Sequence, residues 1–93
     1  MRLTLIIFQL YLPACHSLKD KRRIIKSIKD KVRAHFNVSI AEVNYYETWQ
    51  RSALAIAWVA SDGSGIDRII NALDKLIQSY CELQILKMER MEY

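Results

Sequence analysis

SLKDKRRIIKSIKDKVRAHF, residues 17–36, contains the strongest helical pattern of the chain and most of its positive charge. At about 100° per residue, its large apolar side chains fall within one sector, and such a sector must face a hydrophobic core. The residues of this sector are Leu18, Ile25, Ile28, Val32 and Phe36, with Ile24 and His35 at its border. The segment therefore predicts an amphipathic helix.

Both ends of this helix carry capping signals. Ser17 is a suitable N-cap, and Asp20 three residues later is a weak form of the capping box. Asn37 tolerates the left-handed backbone conformation that often ends a helix, so the helix should end near Phe36. Lys21 falls inside the apolar sector in the first turn, where we expect its stem to lie on the core edge and its ammonium group to reach water.

The adjoining sector of the helix carries a row of cations, which we call the basic ridge. It consists of Lys19, Arg22, Arg23, Lys26, Lys29 and Arg33. Between Lys19 and Arg33 the chain has eight of its 14 Lys and Arg residues and only two of its ten acids, so this segment carries +6 and the remainder −2. Clustered cations release counterions when they neutralise phosphates. The ridge therefore predicts a polyanionic partner, although a charged helix face is often only solvated.

Length and composition limit the class of protein. Ninety-three residues are enough for one hydrophobic core, which predicts a single domain over residues 1–93. The apolar run from Leu3 to Leu12 is too short to cross a bilayer and leads to no cleavage site, so we expect no secretory or membrane segment. Two cysteines far apart in sequence do not make a disulfide scaffold. These features predict a soluble cytoplasmic protein.

The rest of the chain predicts four strands and a second helix. Strands are predicted over residues 3–12, 38–46, 52–60 and 82–90, and the second helix over residues 66–80. The order βαββαβ predicts a ferredoxin-like α+β sandwich, in which a four-stranded antiparallel sheet carries both helices on one face. The second and fourth strands should lie at the edges of this sheet.

The third predicted strand has two different faces. Leu54, Ile56 and Trp58 alternate with smaller residues, and we expect this large set to lie under the helices. The small set, which should line the open face of the sheet, is Ala53, Ala55, Ala57 and Val59. RNA-recognition modules carry stacking aromatics where this strand has alanines, so bases should not stack on the sheet. Because a bare apolar face is unfavourable in water, we expect a homo-oligomer or a partner chain to cover it.

The same topology should bring several loop residues together at the N-terminus of the basic helix. They are Cys15, His16, Tyr46, Trp49, Arg51 and Cys81. With the free helix amides, His16 and Ser17 can bind a phosphate or carboxylate, but Ser17 can equally cap those amides. The aromatic members, with neighbouring Tyr45, can stack on bases or can fix the hairpin against its own sheet or a neighbouring subunit.

No catalytic or metal-binding constellation is evident in the sequence. Cys15 lacks a second thiolate nearby in the chain, and a Cys15–His16 nucleophile lacks an orienting group. Acylphosphatases resemble this chain in size and topology, but they cradle phosphate in a glycine-bearing loop, and residues 13–17 contain no glycine. We expect no enzymatic activity, cofactor or metal. An enzyme acting on an anionic substrate at the Cys15–His16 end is the alternative.

Several motifs in the chain resemble the bacterial YlxP-like family, labelled domain of unknown function 503. These motifs are Leu12-Pro13, Ser17-Leu18-Lys19, Lys21-Arg22, Asn37–Val43 and Trp49-Gln50-Arg51. The resemblance implies a ferredoxin-like fold, a cytoplasmic bacterial protein and, from neighbouring translation genes, a connection with the ribosome or RNA. Glu47-Thr48 departs from the family at a place where an aspartate is expected. The family supplies no established catalytic residues.

These observations predict a non-enzymatic protein that binds RNA or a ribosome-related ribonucleoprotein, with the six cations of the basic ridge on phosphates. The alternative is a structural module that forms a homo-oligomer through its open sheet face, with the ridge only solvated.

Overall fold

The computed structural model describes residues 1–93 and contains four strands and two helices in the order βαββαβ. The elements are β1 Arg2–Tyr11, α1 Leu18–His35, β2 Ser39–Asn44, β3 Arg51–Ala60, α2 Ile66–Gln78 and β4 Gln84–Glu92. The strands form one antiparallel sheet in the order β2-β3-β1-β4. The predicted ferredoxin-like fold is confirmed, with β2 and β4 at the edges and every boundary within two residues of its predicted place.

The core lies between the sheet and the two helices. Ile6, Phe8 and Leu10 of β1 are fully buried, since alternate residues of a strand point to the same face. In the antiparallel register, Phe8 lies opposite Leu54 and Ile6 opposite Ile56, so β1 and β3 present one continuous apolar surface. The helices cover it with an apolar stripe each: Ile24, Ile25, Ile28 and Val32 from α1, and Ile66, Ile70, Leu73 and Ile77 from α2.

The two ends of α1 differ in how well the sequence predicts them. At the start, Ser17 Oγ accepts a hydrogen bond from the Asp20 amide at 3.1 Å, and the Asp20 carboxylate accepts one from the His16 amide at 3.1 Å. At the other end, the helix ends near Phe36 as predicted, but Asn37 does not have the left-handed conformation suggested for it. Phe36 is the C-cap in an extended conformation, with φ of −134°. This conformation turns the chain directly towards β2 while the ring of Phe36 packs against the core.

The open face of the sheet exposes apolar side chains near one end of β1 and β3, but one residue predicted to line this face is buried. Val59 is 67% exposed and Leu3 is 37% exposed, whereas Ala53 is only 1% exposed. Ala53 lies between Gln9 of β1 and Asn44 of β2 in the register, and these longer residues flank its methyl group on both sides. The exposed apolar area is therefore smaller than the alternation of β3 predicts.

Candidate functional site

A groove of about 310 Å³ runs between α1 and the edge strand β2. We call it the basic groove; it is lined by Lys21, Arg22, Ile25, Lys26, Lys29, Asp30, Arg33 and Glu42. Four residues of the basic ridge therefore share one concave surface. The other two, Lys19 and Arg23, are exposed but lie outside the groove. Lys19 lies in the first turn of α1, before the groove begins, and the helical period places Arg23 further round α1, away from β2.

The floor of the groove contains a buried ion pair that corrects the prediction for Lys21. This side chain is 1% exposed, and its ammonium group lies 3.1 Å from a carboxylate oxygen of Glu42. The expectation that it reaches water is wrong, because protein groups replace the water. The ammonium donates to three carbonyl oxygens, those of Tyr45 at 2.6 Å, Arg51 at 3.3 Å and Tyr46 at 3.4 Å. Partners of this kind are what a buried cation requires.

Glu42 is held in turn by a second partner from the neighbouring strand. Its Oε2 atom accepts a hydrogen bond from the buried hydroxyl of Ser52 at 2.6 Å. Glu42 lies opposite Leu54 in the register and therefore points to the helix side of the sheet. Since Lys21 and Glu42 neutralise each other, this pair anchors the groove without adding to its net charge.

The remaining charges leave the groove strongly cationic. Five cationic and two acidic side chains line it, which gives a net charge of +3. Among the ridge residues only Lys26 forms an ion pair, with Asp30 at 2.6 Å, and both side chains of that pair are well exposed. Arg33 donates to the carbonyl oxygen of Ile40 at 3.3 Å, which positions its guanidinium beside β2. Arg22, Lys29 and Arg33 therefore carry the uncompensated charge.

The loop before α1 and the hairpin loop between β2 and β3, residues 45–50, lie against each other. The side-chain amide of Gln50 donates to the carbonyl oxygens of Pro13 at 3.1 Å and Cys15 at 3.2 Å. At the helix start, the Ser17 hydroxyl accepts from the Asp20 amide, which is one of the amides considered as an anion site, and the Asp20 carboxylate accepts from the amide of His16, just before the helix. This geometry favours the capping role of Ser17, and His16 is an exposed loop residue.

The aromatic residues of the hairpin loop divide into two groups. Tyr45 has a left-handed backbone with φ of 63°, and Arg51 lies 4.5 Å from the centre of its ring and donates to its hydroxyl at 3.3 Å. Tyr45 and Arg51 thus fix the base of the hairpin. Tyr46 and Trp49 are 57% and 50% exposed, so about half of the surface of each residue is open to solvent.

The two cysteines occupy different environments. Cys15 is buried, and burial, followed by the nearby Asp20 carboxylate, raises the pKa of its thiol. The thiol is therefore protonated at neutral pH and is a poor nucleophile. Cys81 is exposed, and its sulfur lies 3.5 Å from a carboxylate oxygen of Glu82. No three His, Cys, Asp or Glu side chains converge to hold a metal ion.

Sequence reasoning missed the role of Lys21 and Glu42 in the groove, although a signal for it exists. Lys21 occupies an apolar position of the α1 pattern, and Glu42 follows Ile40 by two residues, on the same side of β2. Two opposite charges at apolar positions of neighbouring elements indicate a buried pair. Asp30 was recognised as an acid of the helix, but its pairing with Lys26 inside the groove was not predicted.

The fold and this site define a small ferredoxin-like α+β sandwich with a cationic groove between its first helix and an edge strand. The chain belongs to the DUF503 family, described as proteins of unknown function, whose profile matches residues 3–90. Over 68 residues it is 38% identical to the uncharacterized protein YlxP of Bacillus subtilis (strain 168). The matched segment covers 73% of this chain and 74% of that protein. The resemblance noted from the motifs is thereby confirmed.

Three solved structures share the fold. The de novo designed protein Foldit4 has a TM-score of 0.57 and 16% identity, covering 100% of this chain and 97% of that chain. SnoaB, a cofactor-independent oxygenase from Streptomyces nogalater, has a TM-score of 0.55 and 5% identity, with coverage of 100% and 92%. A putative antibiotic biosynthesis monooxygenase from Bordetella bronchiseptica has a TM-score of 0.54 and 13% identity, with coverage of 100% and 96%. At these identities, the likeness concerns the fold alone. Neither helix of the chain is long and apolar enough to cross a membrane.

Proposed function

We propose that this protein is a non-enzymatic cytoplasmic protein that binds RNA, free or within a ribonucleoprotein, through phosphate contacts in the basic groove. The observation that carries the proposal is the net charge of +3 concentrated in one groove of about 310 Å³. Charges gathered in a concave surface attract a polyanion more strongly than the same charges spread over a convex surface.

The spacing of the three uncompensated cations fits an extended polyanion. Arg22, Lys29 and Arg33 are seven and four residues apart, so they lie on one side of α1. At a rise of about 1.5 Å per residue, they span about 16 Å along the helix axis. They can therefore contact several phosphates of one strand. Each of the two guanidinium groups can donate two parallel hydrogen bonds to a phosphate. Contacts to phosphates alone confer no sequence preference.

The salt dependence of RNA affinity tests this mode of binding. With three phosphates neutralised on a single strand, the affinity is expected to fall about 20-fold between about 50 and 200 mM salt. Fluorescence anisotropy of a labelled single-stranded oligoribonucleotide measures this fall. An affinity that does not change over this range would exclude phosphate contacts as the basis of binding.

Two variants of equal net charge distinguish RNA binding in the groove from attraction of RNA to the overall charge of the protein. Arg22→Gln/Lys29→Gln/Arg33→Gln removes the uncompensated charge of the groove, and RNA binding should fall to the background of the assay. Lys31→Gln/Arg68→Gln/Lys75→Gln removes the same number of exposed charges outside the groove and should keep most of the affinity. Equal losses in the two variants would contradict a specific role of the groove.

The open sheet face supports a second candidate function, a module that pairs with another copy of this chain. Val59 and Leu3 expose apolar surface on this face, and Lys87 and Glu89 lie beside it on β4. Lys87 and Glu89 form an ion pair with each other at 3.4 Å within β4, so this edge of the face carries no net charge that would repel a second copy. A second copy related by a two-fold axis would cover the exposed apolar surface.

Light scattering tests whether two copies associate. The expected mass is that of a dimer, and Ala55→Lys should convert it to a monomer, because the new ammonium group would be buried in the middle of the covered face. Asn71→Lys adds the same charge on the exposed side of α2 and should leave the dimer intact. A wild-type protein that is monomeric at all concentrations would exclude this second candidate.

A further inference from the structure

The tip of the hairpin loop carries two large aromatic side chains that the fold of the monomer does not use. Tyr46 is 57% exposed and Trp49 is 50% exposed, although exposed large aromatics are unfavourable in water. Tyr45 and Arg51 already fix the base of the hairpin through their ring contact and hydrogen bond. The packing of the domain therefore gives no account of Tyr46 and Trp49.

These aromatics lie at one end of the basic groove. Lys21 lines the groove, and its ammonium group lies 3.4 Å from the carbonyl oxygen of Tyr46. The residue after Trp49, Gln50, is tied to the loop that leads into α1. The hairpin tip and the N-terminal end of the groove are thus adjacent parts of one surface.

The hairpin loop is held in place by hydrogen bonds at several points. The carbonyl oxygen of Tyr45 accepts from the Lys21 ammonium group at 2.6 Å and from the Thr48 amide at 3.0 Å. The side chain of Asn44 accepts from the Tyr45 amide at 2.8 Å, which supports the left-handed conformation at that residue. Because the backbone of the loop is fixed in this way, binding at the hairpin requires little ordering of the backbone.

Beside Trp49 there is a shallow, open depression of the surface, lined by Glu47, Thr48, Trp49 and Gln50. The Glu47 carboxylate repels a phosphate at this place but can accept hydrogen bonds from the amino group of a base. The local charge at the tip is therefore opposite to that of the groove. This contrast favours a base at the hairpin and the phosphates in the groove.

We infer that the groove and the hairpin tip form one continuous site for single-stranded RNA, in which the backbone occupies the groove and an unpaired base stacks on Trp49. The inference rests on the proposed function and deepens it by naming the form of RNA. Bases inside a duplex stack on each other and have no free face, so only a single strand can use the aromatic rings. Stacking tolerates every base, so no sequence preference is expected from it.

Replacing Trp49 by alanine tests the inference directly. Base stacking on one aromatic ring contributes about a 5-fold or larger factor to single-strand affinity, so Trp49→Ala should lose at least that factor for a single-stranded oligoribonucleotide. Its affinity for duplex RNA should stay unchanged. Tyr93→Ala removes another exposed aromatic side chain, 71% exposed at the end of the chain, and should leave both affinities unchanged.

Tryptophan fluorescence gives a second, independent readout. Trp58 is 6% exposed within β3, so Trp49 is the tryptophan that a ligand can reach. Single-stranded RNA should quench the fluorescence of Trp49, whereas inorganic polyphosphate, which has no bases, should bind without quenching it. The difference in quenching between the two ligands distinguishes a base that contacts the hairpin from phosphates that only neutralise charge in the groove.

Failure of this inference differs from failure of the proposed function. If Trp49→Ala binds single-stranded RNA as tightly as the wild type, and RNA quenches no more than polyphosphate does, the stacking site is excluded. The groove proposal survives that result as long as the triple glutamine variant still loses its affinity. If the wild type binds neither single-stranded nor duplex RNA, both proposals are excluded.

Discussion

Lys21→Met is expected to lower the free energy of unfolding by about 3–5 kcal/mol, since it removes one partner of a buried ion pair. Glu42, whose side chain is only 16% exposed, would lose its ammonium partner and keep the hydrogen bond from the Ser52 hydroxyl. The three hairpin carbonyls that the ammonium group binds would also lose their donor. Urea unfolding followed by circular dichroism measures the change.

Two comparison variants test whether burial of the ion pair is the reason for the loss of stability. Lys26→Met breaks an ion pair at 2.6 Å whose side chains are 76% and 56% exposed, and it should cost only about 0.3–0.5 kcal/mol. In the double variant Lys21→Met/Glu42→Leu no uncompensated charge remains, so much of the lost stability should return. A single Lys21→Met variant within about 1 kcal/mol of the wild type would mean that water reaches Glu42 and solvates it.

Phe8→Ala is expected to destabilise the domain by a similar amount, about 3–5 kcal/mol, because it leaves a cavity in a close-packed core. Phe8 is fully buried in the central strand β1, opposite Leu54 of β3 and Met88 of β4. Strands on both sides fix the backbone, so the cavity cannot collapse easily. Thermal and urea unfolding with the same two-state treatment measure the effect.

The matched control for this variant lies in the edge strand. Val43 is 42% exposed at an irregularity in the pairing of β2 with β3, and Val43→Ala should change stability by no more than about 0.5 kcal/mol. Comparable losses at both positions would mean that the apolar set of β1 does not form the core in the manner described.

The two candidate functions use different surfaces and are compatible with each other. The basic groove lies beside α1 on the helix side of the sheet, whereas Val59 and Leu3 expose apolar surface on the opposite side. A dimer paired through the open faces would carry two grooves on its outer surfaces. A longer RNA could then contact both grooves, and the gain in affinity would depend on whether one strand spans them.

The periodic patterns of the sequence were sufficient for the architecture, and the structure shows why. The alternation in β3 placed Leu54, Ile56 and Trp58 in the core correctly, and the helical wheel did the same for Ile25, Ile28 and Val32 of α1. Such patterns are local, since the side-chain period of a strand or helix depends on the backbone alone. The positions at which the hydrophobic period changes mark the loops, and the sequence of periods between them predicted the order of strands and helices.

The details that the patterns missed depend on partners distant in the chain. Lys21 was predicted to reach water because its wheel position says nothing about Glu42, 21 residues later, or about the hairpin carbonyls. Ala53 was predicted to line an open face, yet it is buried between neighbours from two other strands. The N-cap at Ser17 was predicted correctly, and its partner Asp20 is only three residues away.

The same distinction applies to the candidate site. The clustering of cations on α1 follows from the helical period, and the sequence was enough to find it. Tertiary structure determined which of these cations share a groove with β2, that Asp30 and Glu42 compensate two of the positive charges, and that the hairpin aromatics adjoin the groove's end. The physical reason is that burial and Coulomb interactions depend on distances in space, and residues separated along the chain acquire those distances only when the sheet forms.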